Sequence, residues 1–145
     1  MGSITDSPQP SFTPRAQKVI DFARAKARSE KRPEASVSEI AFGLLDLGGG
    51  VAFIFLHNSK IDPPLLAAEL EKAPDSESWK VLISPASEEA RRLSHSYIGA
   101  EHLLLALLRH PSNALARALA NRNINPETLR HKILKELDPD FKPNT

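Results

Sequence analysis

The sequence predicts an all-α protein made by tandem duplication of one helical unit. Two short strings recur in the same order: Phe12-Thr13-Pro14 is echoed by Ile83-Ser84-Pro85, and Ile61-Asp62-Pro63 by Ile124-Asn125-Pro126. Each reads as a helix start, because a hydroxyl, carboxylate or amide side chain can cap free backbone N–H groups and proline suits the first helical position. Between these starts, Ser38-Glu39-Ile40 and Ala100-Glu101-His102 each open a leucine-rich run. A whole unit is therefore repeated, not a single motif.

Thr13 is expected to cap a first helix from Pro14 to about Glu30, because Ala16, Val19, Ile20, Ala23 and Ala27 recur at three- and four-residue spacings along one face. The opposite face is basic: Arg15, Lys18, Arg24, Lys26, Arg28, Lys31 and Arg32 are opposed only by Asp21 and Glu30. No aromatic side chains are interleaved there for stacking on bases, which favours a solvated exterior over a nucleic-acid surface. Ser36-Val37-Ser38-Glu39 fits a capping box, in which Ser36 and Glu39 satisfy backbone donors reciprocally. The helix it opens should reach Leu47 with apolar residues on nearly every side, the pattern of a helix buried by its neighbours, and Gly48-Gly49-Gly50 ends it. A third helix is expected through Val51, Ala52, Ile54, Phe55 and Leu56, and a fourth from Asp62-Pro63 to about Lys72.

From Ala73 to Lys80, Pro, Asp, Ser and Glu mark a short connector, with Trp79 at its end packing into the seam between the halves. The second unit repeats the scheme, with helices from Pro85 to about Leu93, Gly99 to Arg109, Ser112 to Ala120 and Asn125 to Leu137. Glu101 follows Glu39 by 62 residues and Ile124 follows Ile61 by 63, whereas Ser84 follows Thr13 by 71. On that register the second copy has lost about eight residues, close to two turns, from its first helix. The expected divisions are a flexible N-terminus (1–11), a first repeat (12–73), a linker (74–82), a second repeat (83–137) and a flexible tail (138–145).

With 145 residues, 41% of them hydrophobic, the chain can bury a core as one domain or as two intimately packed halves. Its 19 basic and 18 acidic side chains nearly cancel, so no global field points to nucleic acid or an anionic membrane. The absence of cysteine excludes a disulfide framework, a thiol nucleophile and a thiolate zinc site. The polar N-terminus does not read as a secretory signal, and no apolar run approaches the roughly 20 residues that span a bilayer, so a cytoplasmic location is expected. No G-x-x-x-x-G-K-[ST] phosphate loop occurs, and Gly48-Gly49-Gly50 lacks the lysine that reaches a nucleotide phosphate. His95, His102 and His110 lack the H-E-x-x-H spacing or cysteine partners of a metal site and read as solvated or locally bonded. No cofactor is expected, and nothing in the sequence supports an enzyme.

Phe12-Thr13-Pro14-Arg15-Ala16-Gln17-Lys18-Val19-Ile20 resembles the opening helix of the Clp N-terminal repeat domain, found at the front of Clp-type AAA+ unfoldases. The run from His95 to Arg109 is similar to that family's commonest signature, a glycine, a small residue and Glu-His before a leucine-rich helix. The resemblance extends over residues 12–137 and implies a pseudo-twofold bundle of about eight helices, two four-helix units packed as one domain. It also implies a docking module for adaptor proteins and substrates which, in some members, binds phosphorylated arginine. The first repeat departs from the pattern, with Ser38-Glu39-Ile40 where the family shows Thr-Glu-His. Lacking a phosphate loop, the chain resembles a free-standing or excised repeat domain that modulates delivery to a Clp ATPase.

In each repeat the family pattern sets the hydroxyl at the start of the first helix near the glutamate at the start of the second. The implied candidate sites are Thr13 with Glu39 and Ser84 with Glu101. A capped helix N-terminus attracts an anion and a neighbouring carboxylate attracts a guanidinium, so a ligand carrying both charges, such as phosphoarginine, would match. Glu39 also has a structural role in its capping box, whereas Ile98 cannot cap for Glu101, which makes Ser84 with Glu101 the stronger pair. The alternative from another class is a small helical nucleic-acid-binding protein that uses the basic first helix.

Overall fold

The computed structural model describes residues 11–47, 61–72, 77–109 and 113–140. Among these, seven α-helices form the architecture: α1 (Pro14–Ser29), α2 (Val37–Leu47), α3 (Pro63–Lys72), α4 (Ile83–Arg92), α5 (Ala100–Arg109), α6 (Ala114–Asn121) and α7 (Pro126–Leu137). The expected helix through Val51–Leu56 lies outside the described residues. Within the repeats, α2 packs on α1 and α3, and α5 packs on α4 and α7. Contacts of α2 and α1 with α5, and of α3 with α6, join the halves around one core.

Local chemistry sets most boundaries where the sequence puts them. Thr13 Oγ1 accepts from the Ala16 N–H at 3.2 Å, and the five apolar residues of the α1 stripe are all buried. Asp62 Oδ1 accepts from the Leu65 N–H at 3.3 Å, and Asn125 Oδ1 from those of Glu127 and Thr128 at 2.8 and 3.2 Å. Three helices stop with a non-glycine residue in the left-handed region, Lys31 (φ 59°), Ser94 (φ 62°) and Asn123 (φ 60°). After each, the next N–H reaches back to a carbonyl of the last turn, Arg32 to Ala27 at 2.9 Å, His95 to Ala90 at 2.8 Å and Ile124 to Leu119 at 2.9 Å, the pattern of a Schellman stop.

The repeat register is corrected by the structure. Ser94 follows Lys31, and Ile124 follows Ile61, by the same 63 residues. Carried back along α1, that offset maps the buried stripe Ala16, Val19, Ile20, Ala23, Ala27 onto Trp79, Leu82, Ile83, Ala86, Ala90, of which all but the half-buried Ile83 are buried. The first helix of the second copy has not lost two turns. Its opening turn is wound as a 3₁₀ helix, Trp79–Leu82, which runs directly into α4. Ser78 caps this turn, its hydroxyl accepting from the Lys80 N–H at 3.3 Å. Ser84 is therefore not a cap: Leu82 holds the cap position of α4 without a side-chain bond, and Ser84 and Pro85 lie inside the first turn, where proline's missing N–H costs nothing.

The same register pairs Glu39 with His102, not with Glu101, whose counterpart is Ser38. Both mapped side chains do one job. The Ser36 N–H donates to Glu39 Oε1 at 2.9 Å and the Glu39 N–H to Ser36 Oγ at 3.3 Å, the predicted capping box. In the second copy the Gly99 N–H donates to His102 Nδ1 at 2.7 Å. With Nδ1 accepting, the fully buried His102 carries its proton on Nε2, which lies 2.9 Å from His95 Nδ1 and donates to it. Burial lowers the His102 pKa below its ordinary value; the Glu101 carboxylate opposes this, His95 adds to it, and Glu89 opposes it.

Two outcomes test this account. Thr13→Ala should cost about 1 kcal/mol of stability as a lost cap, and Ser84→Ala about 0.5 kcal/mol or less; comparable losses in urea unfolding would restore Ser84 as a cap. For His102, the unfolded chain takes up the proton at a higher pH than the folded one, so its contribution is complete above about pH 6.5 and is lost as pH falls below it. The melting temperature should drop between about pH 7.5 and about pH 5.5, and should drop less in His102→Gln, which still accepts from the Gly99 N–H. Equal drops in both proteins would remove His102 as the source.

Candidate functional site

Backbone hydrogen bonds between the repeats decide which candidate residues meet. The Thr13 N–H donates to the Ile98 carbonyl at 2.9 Å, and the Ile98 N–H to Ser11 at 2.8 Å. On the other side, the Val37 N–H donates to Glu77 at 2.9 Å and the Trp79 N–H to Ala35 at 3.0 Å. The segment leading into each repeat's first helix thus pairs with the segment before the other repeat's second helix. The two bridges, Phe12 with Ile98 and Ser36 with Ser78, run in opposite senses, parallel and antiparallel. Thr13 consequently neighbours the start of α5, which carries Glu101, and not the start of α2, which carries Glu39.

Glu101 sits in the first turn of α5 with 26% of its side chain exposed. Its carboxylate lies over Gly99, where a Cβ would push this flexible side-chain end aside. Among the described residues, the one ionisable group within 4 Å of this carboxylate is His102, whose Nδ1 lies 3.9 Å away in a neutral ring and already accepts from Gly99. Glu101 is thus a half-exposed carboxylate with no cationic partner among the described residues, beside the N-terminus of its own helix and near that of α1.

Glu39 differs in every respect. Only 6% of its side chain is exposed; it accepts from the Ser36 N–H and is clamped by both terminal nitrogens of Arg32, one at 2.9 Å. Arg32 also holds Glu30 at 2.8 Å, and the carboxylates of Glu39, foremost, and Glu30 raise its pKa and keep it charged. Lys26 bonds Glu71 at 3.1 Å and Glu30 at 3.6 Å, closing a chain of paired charges around a cleft of about 470 Å³ floored by Phe42 and Leu70. In the second repeat the positions of Glu30 and Glu71 hold Leu93 and Leu134, and Arg32–Glu39 is replaced by His95–His102.

Ser84 is exposed on α4 and has no part in either crossing. The basic first helix is partly committed: Arg24 lies 5.5 Å over the ring of Trp79 and Lys26 5.3 Å over that of Phe42. Trp79 is buried in the seam as expected, its ring 6.4 Å from that of Phe12. A further buried network was not legible in the sequence. Glu89 of α4, fully buried, bonds Arg130 of α7 at 2.7 Å and Arg109 of α5 at 3.3 Å. Without it the buried Arg130 would keep only the exposed Glu127, at 2.9 Å, as an ion-pair partner, and Arg109 only Glu88, at 3.1 Å, which marks Glu89 as scaffold. No cluster of three metal-ligating side chains occurs among the described residues, and no described helix is long and apolar enough to cross a membrane.

Comparison with known proteins agrees with this architecture. Residues 75–142 match the model of the Clp repeat (R) N-terminal domain family. The chain is 35% identical over 140 residues, 88% of its length, to a probable ATP-dependent Clp protease ATP-binding subunit of Chlamydia pneumoniae, and 33% identical over 136 residues, 86% of its length, to the chloroplastic chaperone protein ClpC of Pisum sativum. It spans only 17% and 15% of those two relatives. Among solved structures, the N-terminal domain of ClpD from Arabidopsis thaliana superposes with a TM-score of 0.66 at 19% identity, covering 87% of this chain and 94% of that one. The Hsp104 N-terminal domain from Candida albicans gives 0.70 at 14% identity, covering 88% and 92%. With the repeat signature, the all-helical duplicated fold and these relatives in agreement, the chain belongs to the Clp repeat N-terminal domain family.

Proposed function

We propose that this domain is a non-catalytic docking module that holds adaptors or protein substrates and modulates their delivery to a cytoplasmic Clp-type ATPase. The observation that carries the reading is the position of Glu101: a half-exposed carboxylate without a cation, beside one helix N-terminus and brought near a second, hydroxyl-capped one by the Thr13–Ile98 bond. A guanidinium would pair with Glu101, and a phosphoryl group attached to it would face the positive end of a helix dipole. The ligand group proposed is therefore phosphoarginine on a partner protein, with Thr13 and Glu101 as its contacts. Glu39 and Ser84, the other two candidates, enter this proposal only as controls, because Glu39 is already saturated by Arg32 and Ser36, and Ser84 makes none of the hydrogen bonds of either crossing.

Calorimetric titration of phosphoarginine tests it. Binding to the wild type should weaken at least about tenfold in Glu101→Ala, the loss of one charge-assisted contact, and should be unchanged in Ser84→Ala. No binding to the wild type, or equal binding to Glu101→Ala, would reject phosphoarginine as the ligand. Capture of a Clp ATPase, adaptor or degradation substrate from source lysate on the immobilised domain is the matching test of the docking role, and its absence would count against that role.

A further inference from the structure

Two surface clefts are related by the repeat. One, of about 290 Å³, is lined by Arg24, Arg28, Glu34 and Ala35 of the first repeat together with Trp79 and Lys80. The other, of about 140 Å³, is lined by Ser87, Arg91, Tyr97 and Ile98, which stand 63 residues after those four, together with Ser11. Each opens where the segment leading into one repeat crosses onto the other, because Trp79 and Ser11 belong to the two backbone bridges. The clefts are a product of the duplication, but their chemistry has diverged.

The larger cleft carries surplus positive charge. Its one carboxylate, Glu34, bonds Lys80 Nζ at 3.0 Å and accepts from the Ser78 hydroxyl, and these bonds, the Ser78 one foremost, hold it below the usual carboxylate range. Lys80 and Glu34 therefore offset each other. Arg24 is held over Trp79 by a cation–π contact at 5.5 Å, without a carboxylate in ion-pair contact. Arg28, one turn further along α1 and exposed, has neither a side-chain hydrogen bond nor an ion pair among the described residues. Two guanidinium groups four residues apart on one helix face thus line a concave surface whose one carboxylate, Glu34, is shared between its bond to Lys80 and the weaker field of Arg24, which leaves positive charge in excess. In the smaller cleft, serine replaces Arg24 and tyrosine replaces Glu34, and only Arg91 remains.

We propose that the larger cleft is a second docking site, distinct from Glu101, for an acidic segment of a partner protein, with two neighbouring carboxylates engaging Arg24 and Arg28. Charge complementarity selects an acidic occupant, and the aromatic wall selects peptide over nucleic acid. Trp79 is buried, and its ring is covered by Arg24 and packed by Phe12, so no π-face is left for a base to stack on. The site depends on neither phosphoarginine recognition nor the identity of the ATPase.

The test uses fluorescence anisotropy of a fluorescein-labelled peptide of about six glutamates at low ionic strength, where exposed charge pairs are least screened. Saturable binding to the wild type is expected, weakened at least about tenfold by Arg28→Glu and less than about twofold by Arg91→Glu. Both substitutions change net charge equally and lie at equivalent exposed positions, so the difference reports the cleft and not the overall field. Three results would overturn the proposal: no saturable binding to the wild type, equal weakening by the two substitutions, or displacement of the peptide by an oligothymidylate whose own affinity falls in Arg28→Glu.

Discussion

Four backbone hydrogen bonds that cross between the repeats constrain everything else in this domain. Thr13 and Ser11 pair with Ile98, and Val37 and Ala35 pair with Glu77 and Trp79. Each bond is worth only about 1 kcal/mol net, yet leaving such groups buried and unpaired would cost more, so the crossings fix which helix ends lie together. The first helix of one copy is aligned by the second helix of the other. Neither copy can bury Trp79 or seat α1 alone, and the halves form one core instead of two beads.

That constraint explains which parts of the fold were legible in the sequence. Helix starts written by a local rule, Thr13-Pro14, Ser36 with Glu39, Asp62-Pro63 and Asn125-Pro126, fall where side-chain caps predict. Ser84-Pro85 obeys the same rule and is overridden. Trp79 and Leu82 have to reach the seam, so winding begins six residues earlier, with Ser78 as the cap. The spacing of Trp79, Leu82, Ile83, Ala86 and Ala90 held that information, but the proline motif drew the register eight residues away. The pairing of Thr13 with the Glu101 side was not legible at all, because it is a contact between copies and no periodicity within one copy reports it.

The corrected register also shows what duplication preserved and what it released. The Schellman stop at Lys31 and at Ser94 aims the following residue at the start of the next helix, and the N3 side chain there receives it. The first copy satisfies this geometry with an ion pair, Arg32 and Glu39; the second uses two imidazoles, one buried and neutral. Geometry of a hydrogen bond, not charge, is what the fold requires at this joint. Around it, the first copy surrounds a cleft with paired charges where the second places Leu93 and Leu134 against the core.

A duplicated frame therefore does not imply duplicated sites. Glu101 and the position 63 residues before it, Ser38, occupy equivalent turns, yet only Glu101 is a carboxylate. Arg24 and its counterpart Ser87 line equivalent clefts, yet only Arg24 is a cation. The proposed guanidinium site belongs to the second copy's helix, the proposed carboxylate site to the first copy's helix, and each is completed by a segment of the other copy. A symmetric pair of identical sites could not tell one repeat from the other, because exchanging the repeats would leave the contacts unchanged. Two chemically different sites would make that distinction, so the loss of equivalence between the copies is what a directional partner would read.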